Sequence, residues 1–265
     1  MIKVDSGWEH ARQQPQNAAS IEWNLEQAFG RGSRQFIIDR GDEIVTAGVR
    51  CKHVFQVKSG LAIRQRLLRD GGRAILDLYF PGDLIELDSL FLAAPLDTVL
   101  ALTRVSYWAL DHAALNRLMQ EPRVTQQLMR HLVKEKQRRD TIAILLGQFK
   151  ARERTAALLL LIWRRLKQTL RTANTDENED CASLPLTQKE LADYLGLDLI
   201  HLNRTLGALR NSGALRFRKG AIVVKNVAQL RQIAGRSEVR RVTQKPHIQL
   251  NRIGATIKAF QIRKS

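Results

Sequence analysis

The hydrophobic pattern of the chain changes near Asp111. Between Phe36 and Leu110, short runs rich in β-branched and aromatic residues alternate with glycine-bearing turns such as KSG, RDGGR and PGD. Strands at this spacing are typical of a small antiparallel barrel or roll, and Asp70-Gly71-Gly72 between two such runs predicts a hairpin. After Asp111 the apolar residues recur at helical spacing. The pattern therefore predicts an α+β chain, a β-roll followed by helices.

Three helices are expected directly after the roll: His112–Met119 ended by Pro122, a long helix from about Val124 to Phe149, and Arg152–Leu170. Apolar residues occupy heptad core positions at the two ends of the long helix, and a polar stretch separates them. Such a seam predicts a helix that pairs with its twin in a homodimer; the alternative is an amphipathic helix that covers the roll. The predicted dimerisation residues are Val124, Leu128, Ile142, Leu145 and Phe149, with His131, Glu135 and Arg138 on the same seam.

The segment LTQKELADYLGLDLIHLNRTL has the pattern of two short helices joined by a tight turn. Thr187 followed by Glu190 is a capping box, which starts the first helix at Gln188. Gly196 can take the left-handed conformation that ends this helix and reverses the chain, and Asp198 caps the second helix. The segment therefore predicts a helix-turn-helix, the alternative being a helical hairpin inside a core.

The second of these helices has the residue types that read base edges. Leu202 and Leu206 are expected to face inward, whereas asparagine can pair with adenine and arginine with guanine in the major groove. After it, ALRFR and AIVVK flank Lys219-Gly220 as a hairpin, which predicts a wing. The expected base-reading residues are Leu199, Ile200, His201, Asn203 and Arg204, and the expected backbone contacts are Thr187, Gln188, Lys189, Arg210, Arg216, Arg218 and Lys219.

Charge supports a polyanionic partner. The net charge is +17, and residues 151–265 hold 22 basic and 9 acidic side chains. From Arg204 onward there are 15 basic residues and one acid, Glu238. Since these charges are not laid out on a long amphipathic helix, double-stranded DNA is favoured over a membrane surface; a highly soluble surface is the plain alternative.

Composition argues against several other classes. No apolar stretch has membrane-spanning length and the N-terminus has no secretory pattern, so a cytoplasmic protein is expected. Cys51 and Cys181 are too few for a disulfide framework, a zinc site or an iron–sulfur site within one chain. No metal-spaced cluster, nucleophile elbow or phosphate loop is present, so no catalytic or metal-binding residue is predicted and an enzyme is not expected.

The order of parts resembles the Crp/Fnr family of bacterial transcription regulators along about residues 20–230. The resemblance is carried by RGDEIVTAG, VFQVKSGLAI, DGGRAILDLYFPGDLI and VSYWALDHAALNRLM in the roll and by LTQKELADYLGLDLIHLNRTLGALRNSG in the helix-turn-helix. It implies a cyclic-nucleotide-binding-type β-roll, a dimerisation helix and a winged helix. His201, Asn203 and Arg204 resemble a subgroup with a His-x-Asn-Arg signature, in which Arg204 reads a guanine. Many relatives have glutamate where this chain has Ile200, which predicts a different half-site.

The resemblance also defines what the sensor half lacks. Relatives that bind cyclic AMP have a Gly-Glu-Leu turn and an Arg-Ser pair, whereas this chain has Ile85-Glu86-Leu87-Asp88 and Ala94-Pro95-Leu96-Asp97. Oxygen sensors of the Fnr type use four cysteines. Cyclic-nucleotide and iron–sulfur binding are therefore not expected, haem is retained as an option on His53, His112 or His131, and Cys51 is weighed as a redox thiol. The effector is unknown.

The sequence thus predicts a homodimeric, sequence-specific DNA-binding transcription regulator on a near-palindromic operator, with RNA polymerase as a further partner. The alternative is a sensor protein whose winged helix binds a protein partner. The predicted division is a sensor domain at 1–120 with an N-terminal helix, a dimerisation helix at 121–150, a winged helix-turn-helix at 151–234 and a basic tail at 235–265, which is expected to add non-specific DNA affinity.

Overall fold

The computed structural model of the chain describes Phe29 and residues 33–172, 183–218 and 221–235. The strands are β1 Arg34–Ile38, β2 Glu43–Val45, β3 His53–Ser59, β4 Ala62–Leu67, β5 Arg73–Tyr79, β6 Leu84–Ile85, β7 Thr98–Ala101, β8 Val105–Asp111, β9 Ser183–Leu184, β10 Leu215–Arg218 and β11 Ala221–Val224. The helices are α1 His112–Leu118, α2 Pro122–Gln148, α3 Ala151–Thr172, α4 Gln188–Leu195, α5 Leu199–Asn211 and α6 Val227–Ala234.

The N-terminal half is the predicted β-roll. Two four-stranded antiparallel sheets, in the orders β1-β8-β3-β6 and β2-β7-β4-β5, face each other across a core of alternating inward residues such as Val99, Val105 and Tyr107. The hairpin between β4 and β5 turns at the predicted place: Gly71 has a φ of 81°, and the Asp70 carboxylate accepts a hydrogen bond from the Gly72 N–H at 2.9 Å. The mixed α+β class is confirmed.

The long helix α2 begins with Pro122 in its first turn, where a proline costs no hydrogen bond. Most of its predicted dimerisation residues lie in the chain's own cores. Val124 and Leu128 are buried in a core with Phe29, Val54, Leu84, Leu110 and Leu115, and Leu145 is buried in the core around α3. Ile142 and Phe149 pack against that second core. Because the seam is covered by the chain itself, Val124, Leu128 and Leu145 are unavailable to a second copy, and the alternative, a helix that covers the roll, describes this face.

The polar middle of the same seam also faces the roll. Arg138 grips the buried carboxylate of Asp77 with two hydrogen bonds of 2.9 and 3.2 Å. Glu135 is buried nearby and paired with Arg139, and burial raises the pKa of its carboxyl. His131 Nε2 accepts a hydrogen bond from the Leu84 N–H at 3.3 Å. The polar residues therefore complete an internal network, which explains why apolar residues are interrupted there.

The C-terminal half folds around α3. Its buried residues pack with those of α4, α5 and α6, and a small antiparallel sheet in the order β10-β11-β9 closes the unit. The same core continues into the roll through Ile75, Leu78 and Leu102, so the two halves share one apolar interior. Within the described residues no helix combines the length and apolar character needed to cross a membrane.

Several expectations fall outside the described residues. They are the N-terminal helix except Phe29, the second cysteine Cys181, Lys219 in the predicted wing, and the basic tail beyond Gly235. The division into four segments stays a prediction.

Candidate nucleic-acid interface

The first helix of the interface, α4, starts as the capping box requires. Thr187 Oγ1 accepts a hydrogen bond from the Glu190 N–H at 3.2 Å, and the Glu190 carboxylate accepts one from the Thr187 N–H at 2.7 Å. These reciprocal bonds satisfy two of the amide groups that a helix start leaves unpaired. Lys189 stands exposed in the first turn and Gln188 is partly exposed. The start of α4 therefore presents polar and cationic groups to an incoming anion.

The turn and the second helix, α5, follow the predicted pattern. Gly196 has a φ of 60°, the left-handed conformation that ends α4. Asp198 caps α5, because its carboxylate accepts a hydrogen bond from the His201 N–H at 2.7 Å. Leu202 and Leu206 are buried, as are Thr205 and Leu209. The helix-turn-helix is thus held by two caps, one glycine and a shared core.

One face of α5 is left to solvent. The five residues predicted to read bases are all exposed: Leu199, Ile200, His201, Asn203 and Arg204. Ile200, Asn203 and Arg204 stand at positions i, i+3 and i+4, so their side chains lie side by side along one edge of the helix. None of these three side chains is needed to complete the core beneath them. Along this edge lie the guanidinium group of Arg204, the amide of Asn203 and the apolar side chain of Ile200.

The remaining predicted contacts surround this edge. Arg210 is exposed in the last turn of α5, and Arg216 is exposed at the start of the wing. Arg218 lies in β10, where its backbone pairs with Ala221 across the wing, and Lys219 lies outside the described residues. The wing hairpin is therefore confirmed as a backbone feature, and its tip side chains stay a prediction.

Sequence reasoning missed how the helix-turn-helix is attached to the roll. Arg40 Nη2 lies 2.8 Å from Oε1 of Glu190, while its Nη1 donates to the Leu102 carbonyl at 2.7 Å. Arg73 Nη2 lies 2.6 Å from the Asp193 carboxylate of α4. No local pattern could have indicated these pairs, because they join residues 150 and 120 positions apart.

Two places in the sensor half determine whether a cyclic phosphate could bind there. Asp97, in the region where the family resemblance implies a phosphate-binding Arg-Ser pair, has its carboxylate 2.6 Å from Arg66 Nε and 3.8 Å from Arg64 Nε. Glu86 replaces the turn glycine and still has its left-handed conformation, with a φ of 64°. Burial, together with the neighbouring Asp88, raises the pKa of Glu86 to about 7. Both places therefore carry carboxylates, and that of Asp97 is already paired with arginine side chains.

Two of the three histidines that are candidate haem ligands have protein partners, and Cys51, the candidate redox thiol, lies in surroundings that do not favour a thiolate. His112 Nε2 is 2.9 Å from Ser89 Oγ, His131 accepts the Leu84 amide, and His53 is exposed. The Cys51 thiol donates to the His53 carbonyl at 3.1 Å, and burial raises its pKa, which opposes thiolate formation. Among the described residues no group of three or more His, Cys, Asp or Glu could hold a metal ion.

A β-roll joined through a long helix to a winged helix-turn-helix with an exposed polar recognition face defines a DNA-binding transcription regulator. Comparisons with known proteins agree with this class. Residues 36–122 match the cyclic nucleotide-binding domain, and residues 153–233 match the Crp-like helix-turn-helix domain.

The chain is 31% identical over 198 residues to the transcriptional activator protein FnrL of Cereibacter sphaeroides, covering 74% of this chain and 78% of the relative. It is 26% identical to the fumarate and nitrate reduction regulatory protein of Escherichia coli, over 81% of this chain and 84% of that protein. The structure of FixK2 from Bradyrhizobium japonicum is similar with a TM-score of 0.65 and 26% identity, covering 76% of this chain and 96% of FixK2. The chain belongs to the Crp/Fnr family of transcription regulators.

Proposed function

We propose that the protein regulates transcription as a homodimer bound to a near-palindromic operator. In this arrangement two copies of α5, related by a two-fold axis, enter successive major grooves, so the half-sites lie about one helical turn apart. The proposal rests above all on the edge of α5 formed by Ile200, Asn203 and Arg204, which is exposed while the apolar residues behind it are buried.

Each group at the interface has a role that follows from its chemistry. Arg204 donates a forked pair of hydrogen bonds to guanine, and Asn203 pairs with adenine. His201, Leu199 and Ile200 contact neighbouring base edges. Phosphates are bound by the groups around this edge: Thr187, Gln188 and Lys189 at the start of α4, Arg210 at the end of α5, and Arg216, Arg218 and Lys219 in the wing. The basic tail at 235–265 adds positive charge, which strengthens binding to DNA of any sequence.

The dimer uses a different face of α2 from the heptad seam. Large apolar side chains stand exposed along the other side of this helix: Met129, Leu132, Val133 and Ile144. Exposed apolar side chains that follow one side of a helix are typical of an interface with a second helix. Pairing of α2 with its twin through this stripe leaves Val124, Leu128 and Leu145 inside each copy.

The signal is not a cyclic nucleotide, because Asp97 and Glu86 place carboxylates where a phosphate would bind. Iron–sulfur binding within the chain is also not proposed, since the sequence has two cysteines and Cys51 is held as a thiol. Haem on His53, His112 or His131 is not part of the proposal either, because two of these rings are engaged by the protein. Because the protein acts on a DNA operator, it works in the cytoplasm and has RNA polymerase as a partner at the promoter.

The decisive experiment combines operator selection with a salt titration. Random duplexes are selected on the full-length protein, and affinity for the selected and a scrambled duplex is then measured at rising salt. The proposal requires a preferred near-palindrome and a fall in affinity by orders of magnitude between low and moderate salt. Arg204→Ala should weaken binding to the selected duplex by about 1–3 kcal/mol and leave the scrambled duplex nearly unaffected.

Two outcomes would contradict it. Equal losses on both duplexes would show that Arg204 touches only the backbone. If no duplex were preferred and binding were insensitive to salt, the winged helix would instead be a surface for a protein partner.

A further inference from the structure

The apolar residues of α5 form two groups. One group is buried and completes the core, whereas the other is exposed and does not contribute to it. Leu202, Leu206 and Leu209 are buried, whereas Ile200 is 75% exposed and Leu199 is 47% exposed. Among the side chains that the structure describes beyond residue 150, these two are the large apolar ones that stand exposed. Ile200 is the more exposed, and it shares its helix edge with Asn203 and Arg204. An apolar branch is therefore presented among hydrogen-bonding groups on the surface proposed to meet base edges.

The chemistry of the major groove offers one apolar feature to such a branch. Of the four bases only thymine carries a methyl group there, while the other major-groove features are hydrogen-bond donors and acceptors. The isoleucine side chain has no donor or acceptor, and it would desolvate a polar base edge without compensation. It is also stiff at χ1, so holding it against a methyl group loses little rotamer freedom.

Resting on the proposed function, we propose that Ile200 selects a thymine in each half-site by packing against its 5-methyl group. The selected base pair lies next to those read by Asn203 and Arg204, because the three side chains line one helix edge. The operator therefore contains a T·A pair adjacent to the guanine contacted by Arg204. Ile200 acts as a specificity-determining residue through van der Waals contact, and it adds no hydrogen bond to the interface.

The experiment removes the methyl group and nothing else. Each thymine of the selected operator is replaced in turn by uracil, which keeps the base pair and lacks the 5-methyl group, and affinity is measured for the full-length protein. At one position in each half-site the wild-type protein should lose about fourfold, which corresponds to about 0.8 kcal/mol for one buried methyl-sized group. In Ile200→Ala the uracil operator and the thymine operator should bind within about twofold of each other at that position.

Leu67→Ala is the matched control, because Leu67 is an exposed apolar residue of the roll with 73% exposure and lies outside the interface. It should keep the full fourfold uracil effect. The inference is overturned if no uracil position weakens wild-type binding, or if Ile200→Ala shows the same uracil effect as the wild type, since another residue would then read the methyl group. Failure of the regulator proposal looks different: no operator is selected at all.

Discussion

Glu86 combines two unfavourable conditions in one residue. Its backbone has a φ of 64°, which side chains other than glycine adopt at a cost of about 1 kcal/mol or more, and its carboxyl is partly buried beside Asp88. The turn after Gly82 thus has the geometry of a glycine turn without the glycine. Glu86 therefore lowers the stability of the folded chain in two ways. Substitutions at this position can separate the effect of the carboxyl charge from the effect of the left-handed backbone.

We predict that Glu86→Gln changes the pH dependence of stability. The folded pKa of about 7 lies above the ordinary value of 4.5, so the favourable contribution of the protonated carboxyl is complete below about pH 4.5 and is lost as the pH rises to 7. The amide cannot ionise, and above pH 7 the variant should be more stable than the wild type by on the order of 1 kcal/mol, after allowance for solvent screening. Urea unfolding at pH 5 and pH 8 measures both effects.

Glu86→Gly serves as the companion variant. It removes the carboxyl and also frees the backbone, so it should exceed the stability of Glu86→Gln at both pH values by about 1 kcal/mol. Equal stability of the two variants would mean that the left-handed conformation costs nothing here. A wild-type protein with constant stability from pH 5 to pH 8 would contradict the raised pKa.

Gly207 is a second residue that lowers the stability of the fold, and the packing around it gives no reason for a glycine. A helix-interior glycine lowers helix stability by up to about 1 kcal/mol relative to alanine, yet an added Cβ at Gly207 would meet nothing within 4 Å in the protein. It lies at i+7 from Ile200, on the edge assigned to DNA. Gly207→Ala should therefore raise the melting temperature and weaken binding to selected and scrambled duplexes alike, because the Cβ would keep the helix away from the groove. Unchanged affinity with increased stability would show that DNA does not approach there.

The sequence was informative where one residue type determines a local conformation. Thr187, Glu190, Gly196 and Asp198 each act within three or four residues of their own position, so the caps and the turn were predicted correctly. Glu86 was seen as a missing glycine, but its retained left-handed conformation depends on the turn around it and could not be predicted. The difference lies in whether the causes are local.

At the scale of the element, α2 shows the limit of a periodic pattern. A heptad seam identifies which residues share a face and does not say which neighbour buries that face. The helix has two apolar faces: one carries Val124 and Leu128 into the chain's own core, and the other carries Leu132 and Val133 to the surface. Only the position of the roll distinguishes the two, and that position is a tertiary property.

The two faces of α2 predict opposite results for two variants. Val133→Glu places a charge on the exposed stripe, so it should dissociate the dimer in sedimentation velocity and weaken operator binding while the monomer stays folded. Leu128→Ala leaves a cavity inside the chain and should cost about 2–5 kcal/mol of stability, while the exposed stripe proposed to pair two copies stays intact. A dimer that is unaffected by Val133→Glu would remove this stripe from the interface.

At the scale of the whole molecule, the helix-turn-helix is docked on the roll by charge as well as by apolar packing. Arg73 binds Asp193 and Arg40 binds Glu190, and both acidic partners belong to α4. The order of domains could be predicted from the sequence, whereas their contact could not, because charged pairs of this separation leave no periodic signature.

Loss of both arginines should loosen this docking. In Arg40→Ala/Arg73→Ala we expect faster amide hydrogen exchange in α4 and in the part of β5 beneath it, while exchange in β3 and β8 stays as in the wild type. Arg66→Ala, which breaks an ion pair with Asp97 inside the roll, is the matched control and should leave α4 unchanged. Identical exchange in all three proteins would show that apolar packing alone holds the domains together.

The two carboxylate oxygens of Glu190 are bonded to different parts of the molecule. Oε2 accepts the Thr187 amide at 2.7 Å, and Oε1 meets the Arg40 guanidinium at 2.8 Å. If the turn that carries Arg40 moved away from α4, the second bond would break and the Glu190 carboxylate would lose its cationic partner at the start of α4, beside Lys189. Phosphate would then be repelled from the start of α4, so movement in the roll would weaken DNA binding without any change in the recognition helix itself.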